Sequence, residues 1–185
     1  MKKLFLCLFT FSLLTVSLQA QKYFTRNGEI DFQSETPLEK IKAENKSVTA
    51  VLDIESGRVE FAALIKAFEF EKALMQEHFN ENYMESSQFP KAVFKGQLTD
   101  FDARQLTHDG NYTATVSGEL TMHGETRPVS TEARFHVKDG RVAAVTEFSV
   151  LVADYKIEIP AVVRDNIAKE VLINVKVDLE ELKKG

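Results

Sequence analysis

Cysteine is almost absent from this 185-residue chain, and the one residue of that type, Cys7, lies in the N-terminal segment. The remainder can therefore hold no disulfide, no thiolate metal site and no cysteine nucleophile. Glycine (8) and proline (4) are also scarce, which excludes collagenous and low-complexity classes. A content of 44% hydrophobic and 28% charged residues excludes disorder, and one compact domain is expected. Positive charge is short as well: 23 basic against 28 acidic residues give a net charge of −5. No stretch concentrates Lys and Arg as an electrostatic footprint on nucleic acid requires, so no nucleic-acid partner is expected. Beyond residue 20, no apolar run approaches the ~20 residues of a membrane-spanning helix.

What is there begins with a leader. Met1-Lys2-Lys3 is a short basic region, Leu4 to Leu18 is apolar apart from scattered Cys, Ser and Thr, and Gln19-Ala20 offers a small residue at a cleavage point. Residues 1–20 read as a secretory signal peptide, with residues 21–185 as the mature domain. A lipoprotein would carry its Cys at the end of the apolar run, whereas Cys7 lies near the start. Loss of Lys2 and Lys3 takes the net charge to −7. The expectation is an exported acidic protein, periplasmic or secreted, with no stable membrane insertion after cleavage.

Period-two alternation, the mark of strands with one buried face, dominates the rest. Eight segments show it. Phe24, Ile30 and Phe32 define the first, Val48, Ala50, Leu52 and Ile54 the second, and Val59, Phe61, Ala63 and Ile65 the third, after the turn Glu55-Ser56-Gly57. Ala92, Phe94, Gly96 and Leu98 form the fourth stripe, and Tyr112, Ala114, Val116, Gly118, Leu120 and Met122 the fifth. The sixth, Val129 to Val137, is joined by Asp139-Gly140, the strongest hairpin signal in the chain, to the seventh, Val142 to Val152. The eighth runs through Val171, Ile173, Val175, Val177 and Leu179. Between the third and fourth, residues 69–79 pair Phe70 with Leu74 and Met75 with Phe79 at i, i+4, which predicts one short helix over an end or edge of the sheet. Residues 155–169 show no regular pattern, and Pro160 argues against a central strand there.

Eight antiparallel strands dispose of both sheet edges by closing. The expected fold is all-β, a lipocalin-like eight-stranded antiparallel barrel with one short α-helix between strands 3 and 4. A two-sheet sandwich fits the same alternation. A barrel of this size is either filled by its own side chains or holds one small ligand. Its inward stripes mix large residues with Ala92, Gly96, Ala114, Gly118, Ala133 and Ala144. Patterning alone allows an apolar tunnel or a tapered, packed core.

Catalytic constellations are weak. His78, His108, His123 and His136 are scattered and show neither H-E-x-x-H nor a paired metal spacing, and no G-x-S-x-G, Walker loop or G-x-G-x-x-G occurs. No catalytic residue, metal site or cofactor is expected. Asn45-Lys46-Ser47 and Asn111-Tyr112-Thr113 are glycosylation sequons, relevant only in a eukaryotic host.

The stretch Gly118-Glu119-Leu120-Thr121-Met122-His123-Gly124-Glu125-Thr126-Arg127-Pro128-Val129 resembles the hairpin motif of the YceI-like family of bacterial exported proteins. Upstream, His78-Phe79, Tyr83-Met84 and Phe89-Pro90-Lys91-Ala92-Val93-Phe94 resemble further family segments in order and spacing. The resemblance runs from about Tyr23 to Leu182. It implies a lipocalin-like barrel, export to the periplasm, and binding of a polyisoprenoid, quinone-like or other long-chain lipid along the barrel axis. Three departures fall on polar positions. The first strand reads Gly28-Glu29-Ile30-Asp31-Phe32 without the family's His-Ser, Met75 stands where members often carry Arg, and Asp154-Tyr155 is flanked by Val152-Ala153 and Lys156-Ile157 in place of the family's Arg and Gly.

Together these features identify Phe61, Phe94, Leu120, Phe135, Phe148 and Tyr155 as candidate ligand-binding residues, with the helix covering an opening. Two rivals stand beside this. A packed barrel would serve as a periplasmic interaction or stress-protective protein without a lipid. An enzyme acting on an isoprenoid or quinone would need ionisable groups converging inside, for which the inward stripes offer only Tyr112 and Tyr155.

Overall fold

The computed structural model describes residues 21–182; the expected leader lies outside the described residues. Eight long strands form the barrel: β1 (Lys22–Glu35), β2 (Lys40–Asp53), β3 (Arg58–Leu64), β5 (Lys91–Thr99), β6 (Gly110–Met122), β7 (Glu125–Lys138), β8 (Arg141–Leu151) and β9 (Glu170–Glu181). A two-residue strand, β4 (Glu69–Phe70), pairs only with Ala43 and Glu44 of β2. Around the barrel the order is β1-β9-β8-β7-β6-β5-β3-β2, and pairing of β2 with β1 closes the ring. Every pairing is antiparallel. The eight-stranded barrel is as the alternation predicts, and the sandwich is excluded because each of the eight long strands pairs with two neighbours in one closed order.

Turn chemistry sets the hairpins. Asp139 and Gly140 have φ of 51° and 73°, and His123 and Gly124 have 51° and 77°. Two consecutive positive φ values are what a tight hairpin between right-twisted strands needs.

Three local expectations are corrected. The helix is shorter than 69–79: α1 is Ala73–His78, continued by a π-helical turn over Phe79–Tyr83, while Glu69–Phe70 extends the sheet. Phe70 is drawn to the sheet by an aromatic cluster under the helix, described below. On β1, Phe24 does not share the inner face with Ile30 and Phe32. Tyr23 is buried there instead, because register shifts between Thr25 and Ile30 change the parity of the strand. On β2 the strand begins at Lys40, earlier than the Val48 stripe suggests. Ala43 and Asn45 are buried ahead of the shift and Val48 after it. Asn45, fully buried, donates from Nδ2 to the Leu64 carbonyl at 2.9 Å and accepts the Ser47 N–H at 2.9 Å, so both ends of its amide serve the bulge.

The core is asymmetric along the barrel axis. At the lower end a 3₁₀ turn, Ala103–Thr107, inserts a fully buried Leu106 among Leu52, Ile54, Val137 and Val142 and plugs the opening. At the upper end the strands are crossed by residues 65–90, which carry α1, and by residues 152–169, built from 3₁₀ turns Val152–Tyr155 and Ala161–Asn166. The small residues on the inner stripes are partly filled in. A Cβ added to Gly96 would lie 2.5 Å from the Ser117 carbonyl oxygen and 2.6 Å from the Phe94 ring, so that ring covers the glycine.

Candidate functional site: an apolar cavity under the upper cap

The barrel interior holds two chambers. The outer, beneath α1 and the 152–169 segment, has a volume of about 290 Å³. The inner, toward the plugged end, has about 100 Å³. Ligand pockets for small molecules range from ~300 to ~1,000 Å³, so the outer chamber lies at the lower edge of that class. Its wall is apolar almost throughout. The roof and one side are built by Phe32, Phe68, Phe70 and Phe79, with Phe79 stacked against Phe32 at 5.5 Å and tilted against Phe70 at 4.9 Å between centroids. Their mutual edge and stacked contacts hold the short helix on the barrel, since α1 buries no side chain completely and carries no side-chain cap.

The opposite side of the roof comes from Ile157, Ile159, Val163 and Ile167 of the 152–169 segment. This excursion is fastened to the β1–β2 hairpin. The Asn166 amide donates to Glu39 Oε2 at 3.0 Å, and the Ala168 N–H donates to the Ser34 hydroxyl at 2.9 Å. Lys72, at the start of α1, places its ammonium 4.0 Å from Glu39. Polar lining groups are few and come from the roof and its rim: Ser34, Glu39, His78, Tyr83 and Asn166. Burial raises the Tyr83 phenol above its ordinary value, so it remains a neutral hydroxyl. The inner chamber carries no ionisable lining group. Around the mouth, the chain neighbours of lining residues Glu39, Met75 and Val163 are Leu38, Leu74 and Val162, the three most exposed large apolar side chains among the described residues.

A second set of contacts locks the cap to the strands. His123, at the β6–β7 turn, sets Nδ1 2.9 Å from the Tyr155 carbonyl and Nε2 3.0 Å from the Glu85 carboxylate, with its ring 4.7 Å from that of Phe89. Glu125, the first residue of β7, pairs with Lys156 and with Arg127. The Lys156 hydrogen bond is the main cause holding the Glu125 carboxyl below its ordinary value.

The six expected binding residues divide by chamber. Leu120 and Phe148 border both. Phe61, Phe94 and Phe135 border the inner one, with Phe61 and Phe94 edge-to-face at 6.4 Å. Tyr155 borders neither: it is 2% exposed and packs with Leu120 and Val150 behind the wall. To Phe32 of the first stripe and Phe79 of the expected helix, the outer chamber adds Phe68 and the isoleucines of the 152–169 segment, which the sequence reading does not mark. A signal existed in Ile157 and Ile159, which alternate with Lys156, Glu158 and Pro160. Among the described residues, no group of three or more His, Cys, Asp or Glu side chains is placed to hold a metal ion. No helix among them is long and apolar enough to cross a membrane.

Comparison with solved structures places this barrel among related folds. A polyisoprenoid binding domain from Saccharophagus degradans, implicated in plant cell wall breakdown, superposes with a TM-score of 0.77 at 12% identity, covering 89% of this chain and 100% of that one. Burkholderia cenocepacia BcnA gives 0.69 at 12% identity, covering 82% and 95%. The Campylobacter jejuni YCEI protein, whose crystals have large solvent channels, gives 0.55 at 14% identity over 100% of both chains. No curated protein matches the chain. The YceI-like domain matches residues 9–179, which take in the hairpin motif around His123-Gly124 and nearly the whole barrel, and the chain belongs to that family.

Proposed function

We propose that this protein is a non-catalytic carrier that shelters a long apolar lipid of the isoprenoid type, quinone-like tails included, in the periplasm or outside a bacterial cell after removal of residues 1–20. The observation that carries this reading is the apolar outer chamber of about 290 Å³, polar only at its roof and rim. The barrel of the Saccharophagus degradans polyisoprenoid binding domain supports it. A chain carbon takes up about the room of one water, whose share of liquid volume is ~30 Å³, so the outer chamber has space for roughly ten carbons. At ~0.8 kcal/mol per buried methylene, ten carbons contribute about 8 kcal/mol before the costs of lost freedom. A net affinity between millimolar and micromolar follows.

The test is to express the full chain, purify the exported protein, extract it with organic solvent and analyse the extract by mass spectrometry, then titrate the stripped protein with a fluorescent prenyl probe. A co-purified lipid, or saturable probe binding with a rise in melting temperature, is expected. An empty extract together with no probe binding would leave the packed-barrel alternative.

A further inference from the structure

The two chambers meet at a ring of five side chains that border both: Ile30, Ala63, Ala92, Leu120 and Phe148. Their strands are spread around the barrel. In the closed order, β1 lies four places from β6, so Ile30 and Leu120 come from opposite walls. β8 likewise lies four places from β3, which sets Phe148 opposite Ala63, and Ala63 is the cross-strand neighbour of Ala92. One large ring thus faces a wall of two methyl groups, while two aliphatic side chains oppose each other across it. That arrangement divides a continuous tunnel into two compartments without any backbone crossing the lumen.

We propose that this waist, with Phe148 as its principal member, sets the length of chain the protein buries. The inference rests on the reading that the outer chamber takes an apolar chain. A tail entering from the mouth fills the outer chamber with roughly ten carbons and then meets Phe148, Leu120 and Ile30. Further carbons stay outside and add nothing to affinity. Beyond the waist, about 100 Å³ of empty apolar space lies unused, room for roughly three more carbons before any side chain is removed. The waist is therefore a specificity determinant and not a packing necessity, since the space it closes off is already hollow.

The experiment compares prenyl alcohols of ten and fifteen carbons, geraniol and farnesol, by displacement of a fluorescent prenyl probe from the stripped full-length protein. In the natural protein the two are expected to bind within about threefold of each other. In Phe148→Ala, which joins the chambers, the fifteen-carbon alcohol gains tenfold or more over the ten-carbon one, the order expected from a few additional buried methylenes. Leu120→Ala opens the same ring from the adjacent quarter, two strands away, and carries the test if Phe148→Ala does not fold. Phe135→Ala enlarges the inner chamber alone and leaves the ratio unchanged. A natural protein that already prefers farnesol tenfold overturns the length limit while leaving the carrier reading intact. So does a folded Phe148→Ala or Leu120→Ala protein with an unaltered ratio. Failure of every prenyl compound to bind removes the carrier reading itself, and the length limit with it.

Discussion

The imidazole of His123 lies between two acceptors, with Nδ1 2.9 Å from the Tyr155 carbonyl and Nε2 3.0 Å from Glu85. The first contact joins the β6–β7 turn to the start of the 152–169 segment, and the second joins the same turn to the segment that follows α1. One side chain therefore ties both halves of the cap to the barrel. A carbonyl and a carboxylate oxygen both accept, so a neutral ring with a single N–H donates to one of them at a time. His123 is nearly enclosed while Glu85 is about half exposed, and the exposed partner contributes less. His123→Ala is expected to lower unfolding free energy by roughly 1–3 kcal/mol, and Glu85→Ala by less than about 1 kcal/mol, both measured by urea denaturation. An equal loss for the two variants would contradict this division.

Gly118 faces Gly96 across β5 and β6. A Cβ on Gly118 would overlap the Lys95 carbonyl oxygen and the Gly96 Cα, both backbone atoms that cannot step aside. At Gly140 an added Cβ would meet nothing within 4 Å, and the obstacle is only its φ of +73°. Gly118→Ala should therefore be the far more damaging change, costing on the order of 3 kcal/mol or preventing folding, against about 1 kcal/mol for Gly140→Ala. Thermal melting of the two variants side by side checks the order.

The barrel was legible because each long strand buries one face, and alternation reports that directly. Val48 to Ile54, Val129 to Val137 and Val171 to Leu179 all point as their period predicts. It failed at the bulges, where one added residue reverses parity: Phe24 was assigned the inner position that Tyr23 holds. The cavity was legible on its strand side, where Leu120 and Phe148 follow from the stripes, and in the helix expected over an opening, which brings Phe79 to the roof. The rest of the roof was not, because Phe68, Ile159 and Val163 come from short 3₁₀ and irregular segments too brief to establish a period. Hollowness was not legible at all. Small residues on the stripes mark either space or a neighbour's ring, and Gly96 is covered by Phe94.

Phe79 is the centre of the aromatic roof, with Phe32, Phe68 and Phe70 at 5.5, 5.7 and 4.9 Å. The six-residue α1 is too short to persist on its own in water, so its position depends on these contacts. Phe79→Ala is expected to loosen the cap more than the barrel. Amide hydrogen exchange should rise by tenfold or more over residues 73–83, while β6 and β7 keep their protection. Uniform acceleration across all strands would show that the ring supports the whole fold.

Glu125 and Lys156 provide an acid-sensitive fastening between β7 and the cap. Lys156 takes a left-handed conformation, φ 53°, at the end of the Val152–Tyr155 turn, a geometry that a non-glycine residue adopts at some cost. That conformation carries its ammonium to Glu125, which Arg127 also neutralises. The hydrogen bond to Lys156, followed by the charges of Lys156 and Arg127, holds the Glu125 carboxyl below its ordinary value of 4.5. A group whose folded-state value is depressed contributes stability above its unfolded value, and that contribution is lost as pH falls through the folded one. The natural protein should therefore melt higher than Glu125→Gln near pH 7. The gap should narrow as pH falls below about 4.5 and be lost once pH has fallen through the depressed folded-state value, where both proteins carry a neutral group. Lys156→Gly relieves the backbone and removes the pair, so its melting temperature should fall less at neutral pH than that of Lys156→Ala, which removes the pair and keeps the strain. A Glu125→Gln deficit of the same size at both ends of the pH range would assign the residue a packing role and remove the electrostatic fastening.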